Sequence, residues 1–257
     1  MIFTQIFLVL VSIFYLFNII TIKTILPGIF IFYWIPKCVV IDLIELLYPK
    51  IFMRNLYSKY VALTFNNVPH ESHESHESHE EIIKILDQNL MKGTFFIVSD
   101  NINEKNIKIF VDAVKNGHQL ANHGKTNTVH YLKNKRDLAK EILDCDIKIR
   151  EIYTLAGTSL PEYMFYRPGY GLFGPQMLEI VKNLGYKLAM GSVYPNDTII
   201  INPTINYHYL INHIERGDII IMHDRKWTSK MLPDLLEWMK WNQIESITLD
   251  KLFANRF

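Results

Sequence analysis

Cysteine is nearly absent from this chain: its 257 residues contain only Cys38 and Cys145. Two cysteines, falling either side of a compositional boundary, build no disulfide framework and leave the redox compartment open. Net charge is also nearly absent, because 27 lysines and arginines face 26 acids for a formal +1. That balance excludes a polybasic nucleic-acid binder. Acids are scarce at the start, where residues 1–59 hold only Asp42 and Glu45 against five bases and contain no histidine. The remaining 198 residues carry 22 bases, 24 acids and all ten histidines. With 49% apolar residues overall, the chain is neither disordered nor a many-pass channel. Composition thus describes an apolar leader joined to a slightly acidic, histidine-bearing globular domain.

Residues 1–22 contain no charged side chain, and at about 1.5 Å per residue they suffice to cross a hydrocarbon core of roughly 30 Å. Neither a basic start nor a small-x-small cleavage site accompanies them, so they read as an uncleaved anchor and predict a single-pass membrane localisation. Residues 25–48 are apolar too, but Pro27-Gly28 interrupts them and Lys37, Asp42 and Glu45 fall inside. Each such charge would cost about 3 kcal/mol at mid-bilayer, so this stretch reads as an interfacial helix or one packed on the domain. The expected organisation is an anchor at 1–22, a connector at 23–59 and a domain at 60–250. Basic residues after the first span favour a cytoplasmic domain, whereas the resemblance described below favours the opposite side.

From Tyr60 onward, short apolar runs alternate with helical patterns. Strands are expected at 61–65, 94–98, 119–121, 164–166, 187–190, 218–222 and 246–248, with helices between them. The helix expected near 135–155 carries the stripe Leu138, Ile142, Cys145, Ile149, Ile152, which makes Cys145 a core thiol. Strands alternating with helices predict an α/β fold, a parallel sheet closed or nearly closed into a distorted (β/α)7 barrel. Chemistry in such barrels sits at the C-terminal strand ends. Polar residues collect there: Asn66-Asn67, Asn122-His123, Arg167-Pro168, Ser192 and His223-Asp224.

In order, these strand ends resemble the motifs of the polysaccharide deacetylase family and its NodB homology domain. Leu63-Thr64-Phe65-Asn66-Asn67-Val68-Pro69 is similar to the first motif, Thr-Phe-Asp-Asp-Gly-Pro, and residues 117–123, ending Asn122-His123, to the second. Arg167-Pro168-Gly169-Tyr170-Gly171 resembles the third, and Ile221-Met222-His223 the last. Residues 191–197 and 223–228 look like a membrane-anchored branch of the family. The resemblance covers roughly residues 60–250 and implies metal-dependent hydrolysis of N-acetyl groups from an amino-sugar polymer such as chitin. It implies a general base at position 66, oriented by Arg167, and a divalent metal such as zinc held by position 67 and His123. It further implies a leaving-group acid at His223 and an oxyanion donor near Tyr170, with Trp227 walling the acetate pocket; a glycan-binding relative without catalysis would keep a sugar groove lined by Tyr170, Trp227 and Tyr194. Asp197 takes the place of an aspartate that braces the arginine.

Both first-motif aspartates are asparagine here. A carboxamide has no accessible basic form, so Asn66 cannot take a proton from water. Asn67 offers a neutral oxygen where an anionic ligand belongs. The usual second motif reads His-Ser/Thr-x-x-His, whereas His123-Gly124-Lys125-Thr126-Asn127 ends in asparagine, and the next histidine is His130, a replacement-ligand candidate. Two readings follow: an N-deacetylase with a degraded site, holding a divalent metal, or an anchored glycan-binding pseudoenzyme with none. Residues 70–80 read HESHESHESHE, a repeat expected to be a solvated expansion, with metal binding as the alternative. His118, His208 and His213 read as surface or packing histidines.

Overall fold

A computed structural model describes residues 37–70 and 78–254. The membrane localisation expected from the sequence is corrected by it. Among the described residues no helix is long and apolar enough to cross a membrane, and residues 1–22, which carried the expectation, lie outside them.

Six parallel strands form one curled sheet in the order β5-β4-β3-β2-β1-β6. They are β1 (Ala62–Val68), β2 (Gly93–Ile97), β3 (Gln119–Asn122), β4 (Phe165–Tyr166), β5 (Lys187–Leu188) and β6 (Ile219–His223). In β1 every residue but Asn67 is buried, as a parallel strand covered on both faces requires. The helices are α1 (Lys37–Leu47), α2 (Ser78–Gln88), α3 (Ile107–Lys115), α4 (Lys135–Ala156), α5 (Pro175–Asn183), α6 (Pro203–His213), α7 (Lys226–Trp241) and α8 (Leu249–Ala254).

The seven-strand barrel is corrected to a six-stranded half-barrel. The expected strand at 246–248 makes one bridge, Ser246 to Val61, before α8 starts at Leu249. The expected strand at 187–190 shrinks to two residues. The reason lies in its carbonyls: those of Ala189 and Met190 accept from the Arg167 side chain, at 3.1 and 2.6 Å, and are not spent on a neighbouring strand. Val193 bridges to Ile220 across the seam between the sheet edges, and residues 52–54 bridge to both sides of it, Phe52 to Ala189 and Arg54 to Asp218.

Helix α4 follows its sequence signals. Asn134 Oδ1 accepts from Asp137 N at 2.9 Å as the N-cap, and Gly157 ends the helix in the left-handed region, φ 67°. Its stripe from Leu138 to Ile152 is buried throughout, and each such aliphatic side chain contributes about 1.5–3 kcal/mol. Cys145 is a core thiol, pushed up to about 12 by burial.

Of the two readings for the stretch before β1, α1 takes the packed one. Ile41 is buried, Lys37 Nζ reaches Asp218 Oδ2 at 3.1 Å and the carbonyl of His213, and the Arg54 guanidinium pairs with Asp42 and Glu45 on the same helix. The Lys37–Asp218 pair is largely shielded from solvent, whereas Asp42 is mostly exposed and its pair is screened. The solvated reading of the histidine repeat is corrected at its end, since Ser78 and His79 are buried in the first turn of α2. The His79 ring stacks on Phe110 at 5.5 Å. Residues 71–77 of the repeat lie outside the described residues.

Candidate functional site

The C-terminal ends of β1, β3, β4 and β6 open onto one cavity of about 1180 Å³, lined by Asn66, Asn67, His123, Arg167, Tyr170 and His223 among others. The alternation read from the sequence converges here because parallel strands with helical crossovers all end on the same side. Helix α1 closes the far wall with Lys37, Val40, Ile41 and Ile44.

Arg167 is the floor of the site. It is 1% exposed and its charge meets only neutral oxygens. Nη1 donates to Thr64 Oγ1 and to Asn66 Oδ1, both at 2.8 Å, Nε to Ala189 O and Nη2 to Met190 O. The guanidinium lies 3.9 Å over the ring of Phe96. Burial pulls its pKa down to about 9. The expected ion pair with Asp197 is absent, which corrects that expectation. Asp197 instead accepts from His223 N at 2.7 Å and from His223 Nδ1 at 2.7 Å, with Thr228 Oγ1 at 3.2 Å. A carboxylate that is fully buried beside three donors is already satisfied.

His223 therefore donates through Nδ1 and keeps Nε2 for the cavity. His123 is arranged alike: Nδ1 donates to Arg167 O at 2.7 Å, which fixes the tautomer with Nε2 free. Burial, with His130 as a further charge neighbour, holds the His123 ring well below its ordinary pKa, so it stays neutral. His130 does not share this role, and the expectation of a third ligand is corrected. Its Nδ1 takes the Tyr166 hydroxyl at 2.7 Å and Gly169 N at 3.1 Å, while Nε2 donates to Thr126 O at 3.0 Å. Both ring nitrogens are spent holding the loop 124–130 against the third motif. Gly124 faces this ring so closely that a Cβ there would stand 2.4 Å from His130 Cε1.

Asn67 has φ 54°, left-handed geometry that asparagine tolerates better than most residues. Its Oδ1 is shielded from solvent and has no hydrogen-bond partner. Around the place where the resemblance puts a metal, the cavity lining offers Asn67, His123 and Asn127. Among the described residues no three His, Cys, Asp or Glu side chains converge on one point. One imidazole with neutral amides does not fit a catalytic divalent metal, which draws on anionic or several basic donors.

Tyr170 and Tyr194 line the cavity, with the Tyr194 ring 5.6 Å from that of His223. Trp227 is corrected: it does not line the cavity, and its Nε1 donates to Asp197 O at 2.7 Å. Sequence reasoning overlooked Thr64, Arg225 and the α1 wall. Thr64 and Arg225 adjoin motif residues and were within reach, whereas nothing local in α1 marks it as a cavity wall.

Residues 54–189 match the family described as polysaccharide deacetylase. The chain belongs to that family. It is 25% identical over 198 residues to a bifunctional xylanase/deacetylase from Pseudobutyrivibrio xylanivorans, covering 76% of this chain and 30% of that longer protein. It is 24% identical over 202 residues to a peptidoglycan-N-acetylglucosamine deacetylase from Bacillus cereus, covering 76% of this chain and 88% of the relative. Among solved structures it is similar to a CE4 family pseudoenzyme from Bacillus anthracis, with TM-score 0.67, 19% identity, and coverage of 79% of this chain and 68% of that one. At that identity the likeness speaks for the fold.

Proposed function

We propose that this polysaccharide deacetylase family member binds an N-acetylated glycan, of the chitin or peptidoglycan kind, without hydrolysing it, with residues 60–250 as the binding domain. One observation carries this reading: Arg167, which should orient a catalytic carboxylate, is held by the neutral amide of Asn66 at 2.8 Å. With no carboxylate there and a poor donor set around Asn67 and His123, water has neither a base nor a strong Lewis acid to activate it. What is kept suits binding. Tyr170 and Tyr194 line the cavity and offer ring faces to a pyranose. The second reading, a slow N-deacetylase using a weakly held divalent metal, draws on one intact feature, the His223–Asp197 pair.

The test combines calorimetry with chitooligosaccharides, metal analysis and acetate release. Binding with neither bound metal nor acetate is expected. The double substitution Asn66→Asp, Asn67→Asp should add metal affinity and turnover. Acetate release by the unaltered protein at a rate equal to the double variant would sink the proposal and favour the second reading.

A further inference from the structure

A second, smaller depression of about 310 Å³ lies between α6 and α7, lined by Tyr207, Asp234, Glu237, Trp238 and Trp241. It is separate from the strand-end cavity. Helix α6 gives Tyr209 and His213 to that cavity and Tyr207 to this depression, and residues two apart on a helix point to nearly opposite sides. On α7, Asp234 and Trp238 are one turn apart, as are Glu237 and Trp241, so two carboxylates and two indoles share one face. Tyr207 and Trp238 are half-buried and pack on the main core, which makes them fixed walls. Trp241 is 88% exposed.

The charge of this patch is unanswered. Neither the Asp234 nor the Glu237 carboxylate has an ion-pair or hydrogen-bond partner among the described residues. Lys240 on the same helix donates to Asn89 Oδ1 at 2.7 Å, and neither it nor Lys230 lines the depression. Electron-rich ring faces beside two unneutralised carboxylates attract a cation. The exposed indole adds a requirement of shape. Rings that close around a thin alkylammonium chain form a cage, whereas an open platform suits the flat face of a sugar ring.

We infer that this depression is a second sugar site, which takes an amino sugar bearing a free ammonium group, its ring face on Trp241 and its ammonium within reach of Asp234 and Glu237. An N-acetylated sugar lacks that charge and binds there weakly. The inference draws nothing from the strand-end cavity, and the two readings fail separately.

The indole N–H signals of Trp238 and Trp241 in nitrogen-labelled protein, assigned with Trp241→Phe, report on this site. The probes are tetraglucosamine, its fully N-acetylated counterpart and trilysine, at about pH 6, where the amines and both carboxylates are charged. Tetraglucosamine is expected to move both signals with tenfold or greater preference over the N-acetylated tetramer, shrinking as salt rises. Asp234→Asn with Glu237→Gln should erase the preference, and Trp241→Ala, read at Trp238, should weaken tetraglucosamine binding severalfold. All three side chains are exposed, so Tm should be unchanged in these variants. Equal response to the two sugars, no response to tetraglucosamine, or a preference that survives loss of both carboxylates overturns the inference. Trilysine binding as tightly as tetraglucosamine also overturns it, by making the depression a peptide site. Binding of N,N′-diacetylchitobiose in the strand-end cavity is untouched by any of these outcomes, and the glycan reading stands or falls on that measurement alone.

Discussion

Arg167 Nη1 donates to Asn66 Oδ1 at 2.8 Å, so the one fully buried guanidinium described in the site is answered by an amide where the family motif places a carboxylate. The contact keeps the geometry of a base-orienting pair and discards its charge. Stability and chemistry are thereby separated at this position, and each can be measured.

Asn66→Asp places an anion against that guanidinium. A charge-assisted bond replacing a neutral one should raise unfolding free energy by about 1–3 kcal/mol. Urea unfolding at neutral pH reads this directly. A lower midpoint would mean that desolvating the new carboxylate outweighs its attraction to Arg167.

Arg167→Met removes the common donor of four acceptors: Thr64 Oγ1, Asn66 Oδ1, Ala189 O and Met190 O. Leaving several buried acceptors unpaired should cost about 3 kcal/mol or more, even though the methionine refills part of the space over Phe96. A loss below 1 kcal/mol in the same unfolding assay would show that the sheet seam does not depend on this side chain.

Acid should destabilise the domain in a window set by buried histidines. Burial lowers His118 to about 4, opposed by Asp87, and it lowers His130 as well. Between the unfolded value near 6.5 and the folded value near 4, the unfolded chain binds the proton and the folded one does not. Stability contributed by the neutral His118 ring is therefore complete above about pH 6.5 and lost as pH falls towards 4, at up to about 1.4 kcal/mol per pH unit. His118→Gln should flatten the fall in Tm over that range. An unchanged slope would assign the acid sensitivity to other groups.

Gly169→Ala tests the close approach that seats Tyr170. A Cβ at this position would lie 2.1 Å from the carbonyl oxygen of Thr128, and because backbone rather than a flexible side chain stands in the way, loops 124–130 and 169–171 must separate. We expect a loss of about 2 kcal/mol or more together with weaker oligosaccharide binding through displaced Tyr170. Wild-type stability and binding in this variant would show that the two loops are free to part.

Much of the site was legible because each motif residue sits directly after an apolar run. Asn66-Asn67, His123, Arg167 and His223 all reach one cavity as strand alternation implies, and the Cys145 stripe is buried as its spacing requires. Asp197 shows the limit. Its position in sequence suited a partner for Arg167, but the choice between Arg167 and His223 depends on which donors face it across the seam, and those come from β6 and α7. His130 shows the same limit, since its two nitrogens are claimed by Tyr166, Gly169 and Thr126, groups brought together only by folding.

The sequence by itself determined the α/β class, the family and the loss of both motif carboxylates, because these rest on local periodicity and on the chemistry of single side chains. Only the tertiary structure decided that the barrel stays a half-barrel, that Asp197 serves His223, that His79 is buried, and that the buried Arg167 meets neutral acceptors alone. Those outcomes depend on which of several polar groups wins each buried partner, a competition settled by distances between segments far apart in the chain.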